Sequence, residues 1–154
     1  GAGPKVLIAG MTKVQSQICS GACSIAQAAA AAALNGPQDD VRRFCAAFEA
    51  RRDLVVQRIA GIEGLTLDPP GGAFYGLIGC SGLIGAKTPD GQTIETDADV
   101  TAYLLHTAGI AAVPGSAYDL SPFFRISTAA SEAVLDDAMN RIAAAVSQLK
   151  RGTD

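Results

Sequence analysis

The sequence predicts an α+β fold, in which helices cover one face of a small, largely antiparallel sheet after an alanine-rich helical segment. Two observations support this prediction. Apolar residues recur at helical spacing in residues 38–61 and again after Ser131, which can cap a final helix. Short apolar runs typical of strands fall in two pairs between these helices, and Gly and Pro residues separate them. We therefore divide the 154 residues into a helical segment, residues 1–35, and an α+β domain, residues 36–154.

The helical segment runs into an uncharged stretch, from Val14 to Gln38, that is long enough to raise the question of a membrane helix. Gln, Ser and Asn residues interrupt the stretch, and much of the rest is alanine, which adds little hydrophobic drive. We therefore predict no membrane span. We expect a tightly packed helix over residues 24–34, covered by the rest of a larger protein or by a subunit interface.

The α+β domain is predicted to open with a long amphipathic helix. Gly36 stops the alanine-rich helix, Pro37 suits a first helical turn, and Asp39 and Asp40 favour a helix N-terminus. Apolar residues then recur at roughly helical spacing as far as Gly61, with arginines between them. These arginines indicate a solvated face or ion pairs with nearby acids.

Two predicted strands follow, at residues 65–68 and 73–79, and the Pro-Pro-Gly-Gly turn at residues 69–72 separates them. The second strand is too apolar to be an edge strand with water on both faces. Residues 80–95 are rich in Gly and Pro, and we expect them to form a surface loop.

The second half of the domain is predicted to contain a helix, two strands and a final helix. A helix that Thr96 or Asp97 can cap is predicted to run to about Thr107. Strands are expected at residues 110–113 and 123–128, ahead of the final helix. The strands then lie close enough along the chain to pair as one small sheet.

The composition argues against several classes of function. The net charge is −3, aromatic residues make up only 5% and Trp is absent, so we expect no nucleic-acid partner. No charged and then apolar leader follows Gly1, and we expect a cytoplasmic protein. One histidine and no second close pair of cysteines do not make a zinc site, so no metal is expected. The four cysteines are predicted to be small buried residues in a reducing compartment.

Arg125 is the first candidate binding residue, because it stands in a run of aromatic and β-branched residues. A guanidinium group is always charged and costly to desolvate, so in such a setting it needs an anion. The preceding strand stops at a Pro-Gly turn, Pro114-Gly115. A forked cation beside a glycine turn can form a carboxylate clamp. An arginine paired with a structural aspartate is the alternative that spacing alone leaves open.

Seven short motifs occur in an order that matches one known family. They are QSQ (15–17), SIAQAA (24–29), GPQD (36–39), Phe48 with RRD (51–53), PGGAFY (70–75), VPGSAY (113–118) and FRIS (124–127). Together they resemble the C-terminal portion of the aspartate-aminotransferase-like enzymes, which are pyridoxal-phosphate proteins of fold type I. The resemblance covers nearly the whole chain, and the ordered set is far more specific than any one motif.

The resemblance implies roles for two residues. Arg125 corresponds to the family arginine that binds the α-carboxylate of the amino-acid substrate through two parallel hydrogen bonds. Gly115 corresponds to a turn that lines the substrate side of the pocket. Residues 15–24 correspond to a segment near the dimer interface, where the family has Thr-Ser-Asn-Pro and this chain has CSGA (19–22). We expect Ser20 in that motif to cap the alanine-rich helix.

The resemblance also implies a cofactor, pyridoxal phosphate, that a lysine holds covalently before moving the Cα proton of the substrate. In the family this lysine lies in a Ser-Lys segment that precedes the point matching Gly1. Lys5, Lys13, Lys87 and Lys150 do not follow a serine. We therefore expect a C-terminal fragment of an aminotransferase, with no catalytic residue and no bound cofactor of its own. Its expected partners are the remainder of the large domain, a second copy in a homodimer, and an amino acid or 2-oxo acid.

Two other hypotheses come from different classes. A stand-alone, non-catalytic carboxylate-binding or regulatory module would use Arg125 and would pack residues 14–34 against its own sheet. A complete enzyme with Cys19 or Cys80 as nucleophile lacks a convincing base. The single histidine, His106, is predicted at the C-terminal end of a helix, where a positive charge is favourable.

Overall fold

The structure, a computed structural model, describes residues 2–151. The chain divides into two compact units, Gly1–Arg42 and Arg43–Asp154. Five α-helices and three strands lie within the described residues. None of the helices in this part of the chain is both long enough and apolar enough to cross a membrane.

The first unit contains helices α1 (Lys5–Ile18) and α2 (Ser24–Asn35), and neither has a buried residue. Helix α2 matches the predicted alanine-rich helix, whereas α1 lies in the segment predicted to be helical but was not predicted as a separate helix. The expectation that Ser20 caps α2 was wrong. Cys23 occupies the cap position, and the Ser20 hydroxyl instead donates to the Ser16 carbonyl oxygen at 3.3 Å.

Helix α3 (Asp39–Ala60) starts in the first unit and continues into the second. It matches the predicted amphipathic helix, with Asp39 and Asp40 in its first turn, where negative charge is favourable. Val55 and Ile59 are its buried residues and join the core of the second unit.

The sheet of the second unit has three antiparallel strands, in the order β1-β3-β2. The strands are β1 (Tyr75–Gly79), β2 (Val113–Pro114) and β3 (Phe123–Ser127). The bounds predicted for the strand at residues 110–113 were wrong, because only Val113 of that range lies in β2 and pairs with β3. The strand predicted at residues 65–68 was wrong, because only Thr66 pairs there, in one bridge with Gly79. The prolines that follow lack N–H donors and do not extend this pairing.

Helices α4 (Asp97–Ala108) and α5 (Glu132–Ser147) complete the second unit. Thr96 caps α4 in a reciprocal pair of hydrogen bonds with Asp99, and Ser131 caps α5 through the Val134 N–H at 3.4 Å. Both caps agree with the sequence prediction. They fix where the two helices begin, which in turn sets the loops that lead to the sheet.

The sheet has one buried face and one open face. Side chains alternate along a strand, so Ile78 of β1 and Phe124 and Ile126 of β3 point into the core. They pack there with apolar residues of α3, α4 and α5 in one cluster. The structure therefore confirms an α+β fold with helices on one face of a small antiparallel sheet. Leu77 and Arg125 pair across β1 and β3 on the opposite, open face.

Candidate functional site

Arg125 lies at the centre of the open face of the sheet. It is half-buried, and its neighbours across the strands are Leu77 on β1 and Val113 on β2. The flanking residues Phe124 and Ile126 are buried on the opposite face, so the pleat of β3 turns Arg125 away from the core. The cation predicted from the sequence is therefore presented on a surface rather than enclosed.

Two tyrosine rings lie against the guanidinium group of Arg125. The carbon Cζ is 4.3 Å from the ring centroid of Tyr75 and 4.8 Å from that of Tyr118, both within the range of cation–π contact. Tyr75 reaches Arg125 diagonally across the sheet, since it lies two residues before Leu77 on β1. Tyr118 comes from the 3₁₀ turn Gly115–Tyr118 between β2 and β3.

No described residue provides a carboxylate partner for Arg125. Its side chain forms no ion pair and no hydrogen bond within residues 2–151. The structural alternative from the sequence, an arginine neutralised by an aspartate of the same chain, is therefore absent from the described part of the chain. The N–H groups of Arg125 are available to an external anion.

A cavity of about 600 Å³ opens beside this arginine, which is a typical volume for a small-molecule site. Arg125 and the two tyrosines line it together with Thr66, Asp68, Pro69, Pro70, Leu77, Leu120 and Phe123. Its wall is mainly apolar, and Arg125 is its only basic residue among those described. Such a cavity can hold a small anion whose remaining atoms are partly apolar.

Asp97, at the start of α4, anchors the turn that carries Tyr118. Its side chain is 1% exposed, and its Oδ2 accepts a hydrogen bond from the Ser116 N–H at 3.0 Å. Burial would raise the pKa of Asp97. Hydrogen bonds from the hydroxyls of Ser116 and Ser121 and from the N–H groups of Ser116 and Phe123 outweigh burial, and hold this pKa below its usual value. Asp97 is therefore a buried, ionised carboxylate that ties the turn to α4.

Gly115, the second residue assigned from the resemblance, begins the same turn but does not line the cavity. It is buried, and a Cβ on Gly115 would overlap the carbonyl oxygen of Leu120 and lie 2.8 Å from that of Phe123. Only glycine permits this close approach. Its assignment as a substrate contact stays a prediction. In the structure, Gly115 allows the turn that carries Tyr118 to close.

The cysteines differ from one another more than expected. Cys80 is buried, as predicted, but Cys19, Cys23 and Cys45 are exposed, so the expectation of four buried thiols was wrong. Burial, with a smaller effect of the negative charge of Asp97, raises the pKa of Cys80 to about 11. A thiol so rarely ionised at neutral pH is a poor nucleophile, which argues against a cysteine enzyme built on Cys80.

The residues of this cavity do not fit pyridoxal phosphate. Covalent attachment of that cofactor needs a lysine, and no described residue that lines the cavity is one. Lys5 and Lys13 lie on α1, while Lys87 and Lys150 pair with each other through their backbones. The cavity instead offers one forked cation, which suits a carboxylate.

Arg125 was predicted from the sequence as a binding residue, but the residues that contact it were not. Tyr75 and Tyr118 stood inside the motifs PGGAFY and VPGSAY without an assigned role, and Asp97 was considered only as a helix cap. Nothing in the spacing of these residues points to Arg125. The antiparallel pairing of β1 with β3, and the turn before β3, bring them together.

Comparisons with known proteins agree on one family. A model of the family "Aminotransferase class I and II" matches residues 1–142. The chain is 54% identical over 147 residues to an aspartate aminotransferase of Rhizobium meliloti, a match that covers 96% of this chain and 36% of that protein. It is 46% identical over 143 residues to an aspartate/prephenate aminotransferase of Cereibacter sphaeroides, covering 93% of this chain and 36% of that protein.

Solved structures give the same result. A crystal structure of the aspartate aminotransferase from Rhizobium meliloti matches with a TM-score of 0.90 and 53% identity, over 97% of this chain and 37% of that chain. An aromatic aminotransferase from Pyrococcus horikoshii matches with a TM-score of 0.76 and 30% identity, over 93% of this chain and 36% of that chain. The chain thus spans little more than a third of the length of these relatives.

Proposed function

Because this chain belongs to the class I and II aminotransferases, we propose that it supplies the carboxylate-binding part of the active site of an enzyme that transfers an amino group between an amino acid and a 2-oxo acid. The observation that supports this most is Arg125. Its guanidinium lines a cavity, two tyrosine rings contact it, and no described carboxylate pairs with it.

The chemistry of Arg125 fits the α-carboxylate that amino acids and 2-oxo acids share. A guanidinium presents a planar fork of five donors, and two parallel N–H groups can bind both oxygens of one carboxylate. This geometry fixes the direction of the bound acid as well as its place. A lysine would offer a point charge without that direction. Gly115 contributes in this proposal through the turn beside the bound acid.

Membership of the family implies pyridoxal phosphate as the cofactor of the parent enzyme. When bound, that cofactor withdraws electrons from the Cα of the substrate. No described residue that lines the cavity is a lysine, so we propose that this chain does not catalyse amino transfer by itself. Arg125 would bind and orient the acid while residues outside this chain carry out the chemistry.

The first unit supports a role for a covering partner. Helices α1 and α2 bury no residue, and large apolar side chains such as Val6, Ile18 and Leu34 are more than 70% exposed. Exposed apolar surface of this kind marks an interaction site. We propose that the remainder of the large domain covers these helices, and that the parent enzyme is a homodimer.

Reassembly tests the proposed function. The part of the Rhizobium meliloti aspartate aminotransferase that precedes its matched region is co-expressed with this chain. Amino transfer from L-aspartate to 2-oxoglutarate is then measured in the presence of pyridoxal phosphate. We expect turnover from the assembled pair and none from either piece alone. Arg125→Lys should lower kcat/KM about tenfold to a hundredfold, the loss expected for one charge-assisted bidentate pair.

Two controls make the result decisive. The relative's own C-terminal piece shows that the split enzyme can reassemble, and Arg141→Lys changes an arginine on the surface of α5, where its ion pair with Asp137 is largely exposed. Arg141→Lys should retain full activity. The proposal is wrong if the relative's piece restores activity and this chain does not, or if Arg125→Lys is as active as the unchanged chain.

A further inference from the structure

The two tyrosines around Arg125 differ from ordinary core aromatics. Tyr75 is 39% exposed and Tyr118 is 47% exposed, so neither is there mainly to fill the core. Both nevertheless lie within 5 Å of the same guanidinium carbon, one from β1 and one from the turn before β3. We propose that Tyr75 and Tyr118 are positioning residues, which hold the guanidinium of Arg125 in the orientation that binds a carboxylate. This inference rests on the proposed function.

An arginine side chain is flexible unless its neighbours restrain it. A surface arginine samples many rotamers, and holding it in one of them costs conformational entropy. Here the side chain of Arg125 makes no ion pair or hydrogen bond with a described residue that could hold it. The guanidinium group instead lies over the faces of the two rings. This cation–π contact restrains the group without using its N–H donors, which stay available to a ligand.

Each ring is itself held by the fold. Tyr75 packs against Phe74, with ring centroids 4.5 Å apart, and Phe74 contacts Phe48 of α3 at 6.2 Å. Tyr118 stands on the turn that Asp97 anchors through the Ser116 N–H. The arginine is therefore clamped between a strand and a turn that are fixed independently. Loss of one ring should weaken the clamp without unfolding the domain.

The test uses the full 154-residue chain, labelled with ¹⁵N, and follows the Nε–Hε signal of Arg125 by NMR during titration with L-aspartate. Arg125→Lys assigns the signal by removing it. In the unchanged chain, ring currents should shift the Hε proton upfield, and aspartate should bind weakly and move the signal. Tyr118→Leu and Tyr75→Leu should each lose part of the upfield shift and raise the dissociation constant about twofold to fivefold.

Matched variants separate the ring from its hydroxyl. Tyr118→Phe and Tyr75→Phe keep the aromatic face and should bind aspartate like the unchanged chain. Tyr103→Phe is the control elsewhere in the domain, since the Tyr103 hydroxyl donates to the Ala145 carbonyl oxygen at 2.8 Å and its ring does not contact Arg125. It should leave both the shift and the dissociation constant unchanged.

The outcomes distinguish this inference from the function on which it rests. If aspartate does not move the Arg125 signal in the unchanged chain, the carboxylate site itself is wrong, and the inference falls with it. If aspartate binds through Arg125 but the leucine variants bind equally well, the site stands and the positioning role is wrong. If the phenylalanine variants lose as much affinity as the leucine variants, the hydroxyls bind the ligand and the aromatic faces do not position the arginine.

Discussion

Replacing Asp97 with asparagine removes one negative charge from a buried site and keeps the size of the side chain. In the folded chain this carboxylate is 1% exposed and accepts hydrogen bonds from Ser116, Ser121 and Phe123. An asparagine has one acceptor oxygen and an NH₂ group, which would face a donor. Asp97→Asn therefore leaves at least one buried donor unpaired, and it weakens the remaining hydrogen bonds because their acceptor is no longer charged.

The size of the effect follows from these contacts. A hydrogen bond to a charged group contributes about 1.5–3 kcal/mol, and an unsatisfied buried donor costs about 1–3 kcal/mol. We expect Asp97→Asn to lower the free energy of unfolding by about 2–4 kcal/mol at pH 7. The control is Asp119→Asn, at the end of the turn that Asp97 anchors. Asp119 is exposed, and its backbone φ of 54° suits asparagine, so this change should cost less than about 0.5 kcal/mol.

The stabilisation that the Asp97 carboxylate gives depends on pH, and the direction of its pKa shift sets the direction of this dependence. The folded state lowers the pKa of Asp97, so its carboxylate stabilises the fold above the unfolded pKa of about 3.9, and this contribution is lost as the pH falls through the folded pKa. The difference between the unchanged chain and Asp97→Asn should be constant from pH 5 to 8 and shrink below about pH 4.

Urea unfolding followed by tyrosine fluorescence measures this difference. The chain has no Trp, and its three tyrosines all lie in the second unit, so the signal reports on that unit. The role assigned to Asp97 is refuted if Asp97→Asn is as stable as the unchanged chain at pH 7. A loss of stability that stays equally large at pH 3 would refute the electrostatic part of the argument.

Three further predictions concern other parts of the second unit. Gly115→Ala places a Cβ against the Leu120 carbonyl oxygen, so it should destabilise the domain by about 3 kcal/mol in urea unfolding; unchanged stability would contradict the close approach. At pH 7.5 the buried Cys80, with a pKa of about 11, should react with a colorimetric thiol reagent far more slowly than the three exposed cysteines. Only in denaturant should Cys80 react at the same rate as the other three. Ile142→Ala, at a fully buried position of α5, should cost about 2–5 kcal/mol in the same unfolding assay, whereas Val134→Ala, on the exposed side of α5, should cost under about 0.5 kcal/mol. Equal losses would contradict the assignment of these two residues to opposite sides of α5.

The helices were predictable where the sequence shows both apolar residues at helical spacing and a residue that marks the helix N-terminus. Helices α3, α4 and α5 combine apolar residues at helical spacing with first-turn acids or caps, and all three were predicted. Helix α1 lies in the segment predicted to be helical, but it was not predicted as a separate helix because it has neither a side-chain cap nor an acidic first turn, and Gly10 lies in its middle. The strand at residues 65–68 was predicted from composition alone, and composition does not reveal that only Thr66 finds a partner.

The site was predictable only in part, for a related reason. A charged residue in an apolar run is visible in the sequence, and this identified Arg125. The contacts that hold it come from Tyr75 on another strand and from Tyr118 on a turn, and the turn depends on Asp97 at the start of α4. These contacts depend on strand register and on the path of a loop, which propensity and periodicity do not specify.

The register of β3 links the core to the candidate site. Phe124 is fully buried and Arg125 faces the cavity, and because side chains alternate along a strand, one position determines the other. A shift of β3 by one residue would move Phe124 to the open face and drive the guanidinium into an apolar core, where an unpaired charge is very costly. The apolar cluster that stabilises the domain therefore also fixes the face on which Arg125 is presented. Tyr75 and Tyr118 then have only to set its orientation on that face, which is why their removal should weaken binding without moving the arginine to another site.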